Sequence, residues 1–306
     1  MKRAILLLNM GGANSKDDVE VFLWNMFNDK RIMTVKYSFL RSMIAKFIIW
    51  SRSSGSKKNL DLLGGKSPLL SNTKKLLKKL NRKDRVEAVM RYTSPFSTDI
   101  LPKLKEDGIE KLILFPLYPQ YSTTTTLSSF EDIYEKLAEM NWGDVSICTI
   151  KPYYNDPNFL DLIAKAIKKE VSDPSDTNLI FSAHSLPQKI IDAGDPYLEH
   201  VEKQVEELKK ILPQFKSVHL AFQSKLGPVK WLEPALDKKI HEFKDEKVVV
   251  YPISFTIDNV ETDFELDIEY REEAEKIGLK EYKVVKVQND SEEFVQYILN
   301  KISEES

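Results

Sequence analysis

Residues 179–197 read LIFSAHSLPQKIIDAGDPY. The apolar start of this stretch, Leu179 to Phe181, is typical of a buried strand in a parallel sheet, because strand-like and helix-like patterns alternate on both sides of it. His184 follows at once, where a strand of an open α/β sheet ends and ligand crevices are found. A lone histidine at such a position suits a structural role as well as catalysis. The stretch therefore predicts an α/β fold and makes His184 the first functional candidate.

Similar apolar runs recur along the chain and are separated by helix-like periods, which favours right-handed crossovers and mainly parallel sheets. The predicted strands are residues 4–8, 86–90, 111–115, 145–149, 178–181, 217–221 and 248–251, and the predicted helices include residues 19–27, 69–80, 157–169, 198–212 and 260–277. We therefore predict an α/β protein of two Rossmann-like domains, residues 1–150 and 151–289. Each would hold a parallel, four-stranded sheet flanked by helices, with a cleft between the two halves.

Composition limits the classes of protein that remain. The chain has 306 residues, 42% of them hydrophobic, which is enough for a core in each of two domains. Its formal net charge of −2 gives no sign of a nucleic-acid surface. Cys148 is the only cysteine, which excludes intramolecular disulfides, four-cysteine zinc sites and cysteine-ligated iron–sulfur clusters. The apolar run near the start is too short for a signal peptide and no window could span a membrane, so we expect a cytoplasmic protein.

A line of carboxylates follows the predicted strand at residues 248–251. Glu261, Glu265 and Glu269 recur every four residues, which places them on one face of a helix. One interpretation is a solvated acidic face. The other is a path for a divalent cation, because carboxylate oxygens are suitable ligands for such ions.

Two further loops follow predicted strands. Residues 9–12, Asn-Met-Gly-Gly, form a glycine turn that could bring backbone close to a ligand or serve only to turn the chain. They do not match the GxGxxG pattern of dinucleotide sites. After the strand at residues 217–221, Ser224 and Lys225 could hold a carboxylate, and Trp231 offers a flat face to a planar ligand. A loop anchored to the core by Trp231 is the equal alternative.

Together these motifs resemble those of the ferrochelatases, which insert ferrous iron into a porphyrin. The resemblance runs in one order, without large gaps, from near the first strand to near the end of the chain. The matching pieces are residues 9–12 (NMGG), 64–68 (GGKSP), 91–92 (RY), 118–122 (YPQYS), the His184 motif, 223–225 (QSK) with Trp231, and 261–262 (ET) with 265–270 (ELDIEY). It implies a chelatase-like fold with two Rossmann-like halves around a porphyrin cleft, and a C-terminal helix, about residues 290–306, that packs back on the first half.

The resemblance also implies a role for each matched residue. Metallation must bend a flat ring, strip water from Fe²⁺ and remove two protons, and a neutral imidazole can either accept a proton or ligate iron. The catalytic pair would be His184 and Glu261, and the metal-binding residues His184, Glu261, Glu265 and Glu269. The porphyrin-binding residues would be Met10, Tyr121 and Trp231 in the cleft, Arg91 and Tyr92 on the metal-side wall, and Arg52, Ser67 and Ser224 at the propionates.

Substrates and cofactors follow from the same resemblance. Met10 and the Gln-Ser-Lys-x-Gly-Pro run resemble the protoporphyrin-using branch, so protoporphyrin IX and Fe²⁺ are the expected substrates, in the last step of haem biosynthesis. A coproporphyrin-using enzyme and a non-enzymatic porphyrin or haem carrier are the alternatives. No permanently bound cofactor is expected, nor the iron–sulfur cluster of animal members. The oligomeric state would be a monomer or a homodimer.

One position departs from the family pattern. Asn259 stands where many relatives have histidine, and an amide cannot take a proton at neutral pH. Any proton relay assigned to that position would therefore fall on His184, Glu261 and Asp258.

A last stretch predicts a contact with lipid. Residues 32–50 read IMTVKYSFLRSMIAKFIIW and mix apolar side chains with Lys36, Arg41 and Lys46. This mixture, with Trp50 at its end, suits an amphipathic element lying in the headgroup region of a membrane. A lid packed on the protein's own core is the alternative.

Overall fold

The structure is a computed structural model that describes residues 2–81, 84–225 and 227–306. Within these ranges the chain divides into two compact units. The first unit comprises the chain up to Tyr118 together with Ser122–Lys151 and Asp290–Ser306. The second comprises Pro119–Tyr121 and Pro152–Asn289. The short segment 119–121 therefore belongs to the second unit although the sequence on either side of it belongs to the first.

Strands and helices alternate through most of the described chain. The strands are β1 (Arg3–Asn9), β2 (Arg85–Met90), β3 (Lys111–Pro116), β4 (Ser146–Thr149), β5 (Thr177–His184), β6 (Ser217–Gln223), β7 (Lys247–Pro252) and β8 (Glu281–Val284). The α-helices are α1 (Asp18–Asn28), α2 (Ser38–Leu62), α3 (Pro68–Leu80), α4 (Ser97–Glu106), α5 (Ser128–Glu139), α6 (Pro157–Glu170), α7 (Gln188–Asp192), α8 (Tyr197–Ile211), α9 (Leu236–Ile240), α10 (Tyr270–Ile277) and α11 (Glu292–Glu305). Short 3₁₀ turns lie at Pro174–Asp176 and His241–Phe243, and π-helices at Thr123–Leu127 and Glu261–Glu269.

The first unit contains a parallel sheet with the strand order β2-β1-β3-β4. Residues Ala4 to Leu8 of β1 are fully buried, as expected for a central strand covered on both faces by helices. The C-terminal helix α11 packs against α3 in this unit. Lys79 on α3 joins the two helices by ion pairs to Asp290 at 2.9 Å and Glu292 at 3.1 Å.

The second unit contains a parallel sheet with the order β6-β5-β7-β8. Strand β5 is buried from Thr177 to Ala183, and only His184, its last residue, is partly exposed. Phe181 meets Tyr251 of β7 edge to face, with ring centroids 6.2 Å apart. Burying a phenylalanine stabilises a fold by about 2–3 kcal/mol. A rigid central strand thus carries His184 to the carboxyl edge of the sheet.

The fold class predicted from the sequence is confirmed, with two parallel four-stranded sheets flanked by helices. Each predicted strand lies within or largely within a described one, and only β8 was missed. Strand β8 reads Glu-Tyr-Lys-Val and lies at an edge of its sheet, so its charges face solvent and its apolar run is interrupted. The helix predicted at residues 260–277 is two elements, a π-helix followed by α10. The sequence did not predict this division, because carboxylates spaced four residues apart are compatible with both kinds of helix.

Helix α2 contains most of the segment predicted to contact lipid, although residues 32–37 precede it. Its apolar side chains are among the most exposed in the described chain, including Phe39 at 75%, Phe47 at 65% and Trp50 at 78%. The rings of Phe47 and Trp50 lie 6.0 Å apart on this surface. Among the described residues, no helix combines the length and the apolarity needed to cross a membrane.

Candidate active site

The candidate site lies at the carboxyl edge of the second sheet. Strands β6, β5 and β7 are neighbours and run parallel, so their carboxyl ends meet at one edge. His184 ends β5 and is paired in register with Gln223, the last residue of β6. The chain that leaves β7 at Pro252 continues to Glu261. Sheet topology therefore brings together three motifs that are far apart in the sequence.

His184 and Glu261 form a hydrogen-bonded pair. Nδ1 of His184 lies 2.8 Å from Oε2 of Glu261, and both side chains are about one-third exposed, at 36% and 34%. Burial disfavours a charged His184, but the charges of Glu261 and Glu265 and the bond to Glu261 outweigh it, so the pKa of the imidazole is raised. Burial likewise works against a charged Glu261, but the pKa of this carboxyl is lowered by His184 and Ser224. When Nδ1 donates to the carboxylate, Nε2 of the neutral ring is left as an acceptor for a proton or a metal ion.

Glu265 is held beside this pair by Ser224. The backbone N–H of Ser224 donates to Oε1 of Glu265 at 2.8 Å, and its hydroxyl donates to Oε2 of the same carboxylate. The hydroxyl also lies 3.2 Å from Oε2 of Glu261. Burial and the neighbouring charge of Glu261 raise the pKa of Glu265 to about 7. The predicted contact of Ser224 with a porphyrin propionate stays a prediction, while in the structure this serine binds carboxylates of the protein.

Two buried polar side chains, Ser182 and Gln223, form a series of hydrogen bonds that leads to Glu265. The hydroxyl of Ser182, inside β5, donates to Oε1 of Gln223 at 2.6 Å, and Nε2 of Gln223 approaches Oε2 of Glu265 at 3.5 Å. Both Ser182 and Gln223 are fully buried. Sequence reasoning missed these roles, although a serine within an apolar strand is a signal that a buried polar partner must exist.

Glu261, Glu265 and Glu269 all lie on a π-helix. The N–H of Tyr270 donates to the carbonyl of Glu265, five residues earlier, which is the π-helical pattern. The side chain of Asn259 binds the first turn of this helix, since its Oδ1 accepts the N–H of Glu261 at 2.7 Å. Glu261 and Glu265 therefore face the site, whereas Glu269 is exposed to solvent. Within the described ranges, no group of three or more histidine, cysteine, aspartate or glutamate side chains is arranged to hold a metal ion.

Asp258 is buried next to the start of the π-helix. Its Oδ2 accepts a hydrogen bond from Asn289 at 2.6 Å, and its backbone N–H donates to Oδ1 of the same asparagine at 2.8 Å. Burial raises the pKa of Asp258. Asp263 on the π-helix is paired with Lys286 at 2.6 Å.

Two other predicted porphyrin-binding residues, Tyr121 and Trp231, belong with Ser224 to the second unit. The backbone N–H of Tyr121 donates to Nδ1 of His200 on α8 at 3.2 Å, which fixes the segment 119–121 to that helix. Trp231 is half-buried and forms an isolated bridge with Pro187, just after the His184 motif. Their predicted contacts with porphyrin are not tested by this geometry.

Arg91 and Tyr92 lie in the first unit on a buried ionic network. The guanidinium of Arg91 is 3.1 Å from Oδ2 of Asp29 and 3.2 Å from Oδ1 of Asp132, and its Nε donates to Ser128. The side chain of Asp29 is only 2% exposed. Tyr92 is fully buried, and its hydroxyl donates to Asp29 at 3.0 Å. In the structure Tyr92 thus supports Asp29 and Arg91 and presents no surface of its own.

Met10, Ser67 and Arg52 are also in the first unit. Met10 follows β1 and is half-buried, and the next residue, Gly11, has a φ of +88° and lies so close to Thr93 that a β-carbon would collide with its hydroxyl. Ser67 is buried and caps α3 by accepting the N–H of Leu69. Arg52 is exposed on α2. The glycine turn and Ser67 thus have structural roles that explain their presence, and the predicted contacts with porphyrin stay predictions.

Comparison with known proteins identifies relatives along the whole chain. The model of the ferrochelatase family matches residues 2–306. The ferrochelatase of Sulfurimonas denitrificans is 48% identical, over 98% of this chain and 98% of its own. The ferrochelatase of Campylobacter concisus is 46% identical, over 98% of this chain and 97% of its own.

Solved structures share the fold at low sequence identity. SirB from Bacillus subtilis, solved with Fe³⁺, superposes with a TM-score of 0.60 at 14% identity, covering 99% of this chain and 95% of that chain. CbiX, described as the terminal enzyme for the biosynthesis of sirohaem in denitrifying bacteria, gives a TM-score of 0.52 at 12% identity and covers 99% of each chain. These likenesses show a common architecture. The family match and the identity to the two ferrochelatases go further, and on that evidence the chain belongs to the ferrochelatase family.

Proposed function

We propose that this ferrochelatase inserts Fe²⁺ into protoporphyrin IX, with release of two protons, as the last step of haem biosynthesis. The observation that carries the proposal is the pair His184–Glu261, joined at 2.8 Å at the carboxyl edge of a parallel sheet, with Ser224 bound to both Glu261 and the neighbouring Glu265. Such edges are where open α/β sheets bind ligands. Membership of the family supplies the reaction, and the pair supplies groups that can perform it.

The reaction needs a base near the inner nitrogens of the porphyrin. With Nδ1 turned to Glu261, His184 offers Nε2 as the acceptor of a pyrrole proton. The imidazolium that forms is stabilised by the carboxylate of Glu261, which stays ionised because its pKa is lowered. The ring cannot ligate iron while it carries this proton, so proton removal and metal ligation by His184 are alternatives at any one moment.

The glutamates of the π-helix would bring the metal ion to this base. Exposed Glu269 would attract Fe²⁺ from solvent, and Glu265 and Glu261 would offer oxygen ligands in succession. Fe²⁺ is a substrate in this proposal and is not retained. Neither a permanently bound cofactor nor an iron–sulfur cluster is required.

An anaerobic assay with purified protein, Fe²⁺ and either protoporphyrin IX or coproporphyrin tests the proposal. We expect faster metallation of protoporphyrin IX by the wild type, and none by a folded His184→Ala variant that still binds porphyrin. Preference for coproporphyrin would refute the substrate assignment. Porphyrin binding without metallation by the wild type would instead identify a carrier, and near wild-type turnover by His184→Ala would refute the role of the histidine.

We further propose that α2 contacts a membrane surface. Phe39, Phe47 and Trp50 expose large apolar areas, and Lys46 and Arg52 on the same helix suit anionic headgroups. Protoporphyrin is poorly soluble in water, so contact with lipid would let it reach the protein without crossing bulk solvent. An isolated exposed side chain is unremarkable, but a patch of aromatic residues on one helix marks an interaction surface.

Co-sedimentation with anionic liposomes tests this contact. Wild type should sediment with the vesicles, and less so at high salt, while Phe47→Glu/Trp50→Glu should stay in solution. Ser71→Glu/Asn72→Glu on α3 adds the same charge away from the apolar patch and should behave as wild type. Equal, negligible binding by all three proteins would show that α2 does not contact lipid.

A further inference from the structure

The main chain of His184 is held by two hydroxyl groups. Its N–H donates to Oγ of Ser254 at 3.1 Å, and its carbonyl accepts a hydrogen bond from the hydroxyl of Tyr197 at 2.9 Å. The two hydroxyl oxygens lie 2.6 Å apart. Both residues are buried. Ser254, Tyr197 and the backbone of His184 therefore form a closed ring of hydrogen bonds, which we call the hydroxyl clamp.

The donor and the acceptor of each hydrogen bond in the clamp are determined. Tyr197 donates to the carbonyl of His184, so the bond between the two hydroxyls must be donated by Ser254. Ser254 in turn accepts the N–H of His184. Burial raises the pKa of Tyr197 well above its ordinary value, which keeps its hydroxyl protonated as a donor. Each bond in such a ring polarises the next.

The clamp lies where strand β5 no longer pairs with β7. The last residue of β5 that pairs with β7 is Ser182, opposite Pro252, so His184 has no β7 residue beside it. On the other side, the pairing with β6 continues to His184 and Gln223. The clamp thus supplies hydrogen-bond partners for the main-chain N–H and C=O of His184 where strand pairing with β7 no longer does.

The second half of the histidine motif positions the clamp. Tyr197 is the first residue of α8, and its N–H donates to Oδ1 of Asp195 at 3.0 Å. Gly194, with a φ of +94°, turns the chain just before Asp195. The run Gly-Asp-Pro-Tyr thereby sets the tyrosine hydroxyl against the His184 carbonyl.

We propose that Tyr197 is a positioning residue for metal insertion, which acts through the backbone of His184 with Ser254 as its partner. The proposal rests on the role of His184 given above. A base must lie within hydrogen-bonding reach of the proton that it removes, and displacements well below 1 Å matter for such groups. A clamp on the main chain fixes the point from which the imidazole extends, and leaves its ring nitrogens to Glu261 and the substrate.

The test compares two buried tyrosines of the second unit. Tyr197→Phe removes one oxygen from the clamp, while Tyr251→Phe removes an equally buried hydroxyl that accepts a bond from Gln288 at 3.2 Å. We expect Tyr197→Phe to lower kcat by about tenfold, with KM for porphyrin and for Fe²⁺ changed by less than about twofold. Tyr251→Phe should keep the wild-type kcat. Ser254→Ala should resemble Tyr197→Phe, and Ser254→Thr, which keeps a hydroxyl, should recover most of the rate.

A second measurement does not depend on activity. In protein with ¹⁵N-labelled histidine, the ring signal of His184 is identified by its loss in His184→Ala, among the four histidines of the chain. Tyr197→Phe should shift or broaden that signal, and Tyr251→Phe should leave it unchanged. The proposal is overturned if both variants behave alike in kcat and in this signal, or if Tyr197→Phe changes only KM. Full turnover by His184→Ala would instead refute the proposed function, and the ring signal would still report on the clamp.

Discussion

The backbone N–H of Ser224 lies 2.8 Å from Oε1 of Glu265, and the hydroxyl of the same serine binds the other oxygen of that carboxylate. Ser224 can point both groups at Glu265 because its backbone is left-handed, with a φ of +67°. This conformation is uncommon for residues other than glycine and concentrates at functional sites. A serine predicted to bind the substrate therefore binds the carboxylate of Glu265, which we propose to be a ligand of the entering metal ion.

Two substitutions of Ser224 distinguish the contribution of its hydroxyl from that of its backbone conformation. Ser224→Ala and Ser224→Gly both remove the hydroxyl, so both should raise the apparent KM for Fe²⁺ with little change in porphyrin affinity. Glycine has no β-carbon and is at ease at positive φ, so Ser224→Gly should be more stable than Ser224→Ala by about 1 kcal/mol. Steady-state kinetics and urea unfolding measure the two effects. A loss of porphyrin affinity in both variants would favour the original propionate assignment.

Glu261 and Glu269 should differ in kind when each is changed to glutamine. Glu261 is bonded to the imidazole of His184, the proposed base, so Glu261→Gln should abolish turnover while porphyrin still binds. Glu269 is exposed and bonds to neither His184 nor Ser224 among the described contacts, so Glu269→Gln should mainly raise the apparent KM for Fe²⁺. Kinetics with varied iron and porphyrin distinguish the two. The same defect in both variants would rule out this division of roles.

The ionisation of Glu265 should make the free energy of unfolding depend on pH. Its pKa in the folded protein is about 7, above its ordinary value of 4.5, so between these values the folded state binds more protons than the unfolded state. Stability therefore falls as pH rises from about 4.5 to about 7, and the loss is complete above pH 7. Glu265→Gln removes the ionisable group and should stabilise the protein at pH 8, by an amount on the order of 1–2 kcal/mol, but not at pH 4.5.

Urea unfolding at the two pH values checks this prediction. Glu269→Gln is the matched control, since it makes the same chemical change on the same π-helix at an exposed position. The control should show no gain at pH 8. If Glu265→Gln were no more stable than wild type at pH 8, the carboxylate would not be held in an unfavourable charged state.

Asp29 should be important for the stability of the first unit. It accepts hydrogen bonds from Tyr92, Ser128 and the backbone of Arg31, and pairs with Arg91. Asp29→Asn would leave the Arg91 charge with only Asp132 and should destabilise the protein by about 3 kcal/mol. Asp132→Asn, at a side chain that is about one-quarter exposed, should cost clearly less. Equal unfolding midpoints for the two variants would contradict a special role of the buried partner.

The sequence predicted the strands and their order of occurrence better than the side-chain contacts between residues far apart in the chain. Apolar runs located the strands, and the place of His184 at the end of β5 followed from one such run. The pairing of His184 with Glu261 needed the sheet order, which periodicity does not contain. Tyr92 was assigned to the metal-side wall by the family resemblance of the Arg-Tyr pair, but its hydroxyl is bonded to Asp29, which no local pattern connects to it. Ser67, just before Pro68, could have been recognised as a helix cap.

The π-helix makes the site sensitive to the length of the chain as well as to its side chains. Each turn of Glu261–Glu269 contains an extra residue compared with an α-helix. Deleting one residue between Glu261 and Glu265, such as Asp263, would let the segment rewind as an α-helix. The angle between Glu265 and Glu261 about the helix axis would then change, because a residue of an α-helix turns the chain by about 100° and a residue of the wider π-helix by less, and Glu265 would be displaced from Ser224 with all three side chains still present. Insertions and deletions in this segment are therefore expected to be far more damaging than most substitutions there.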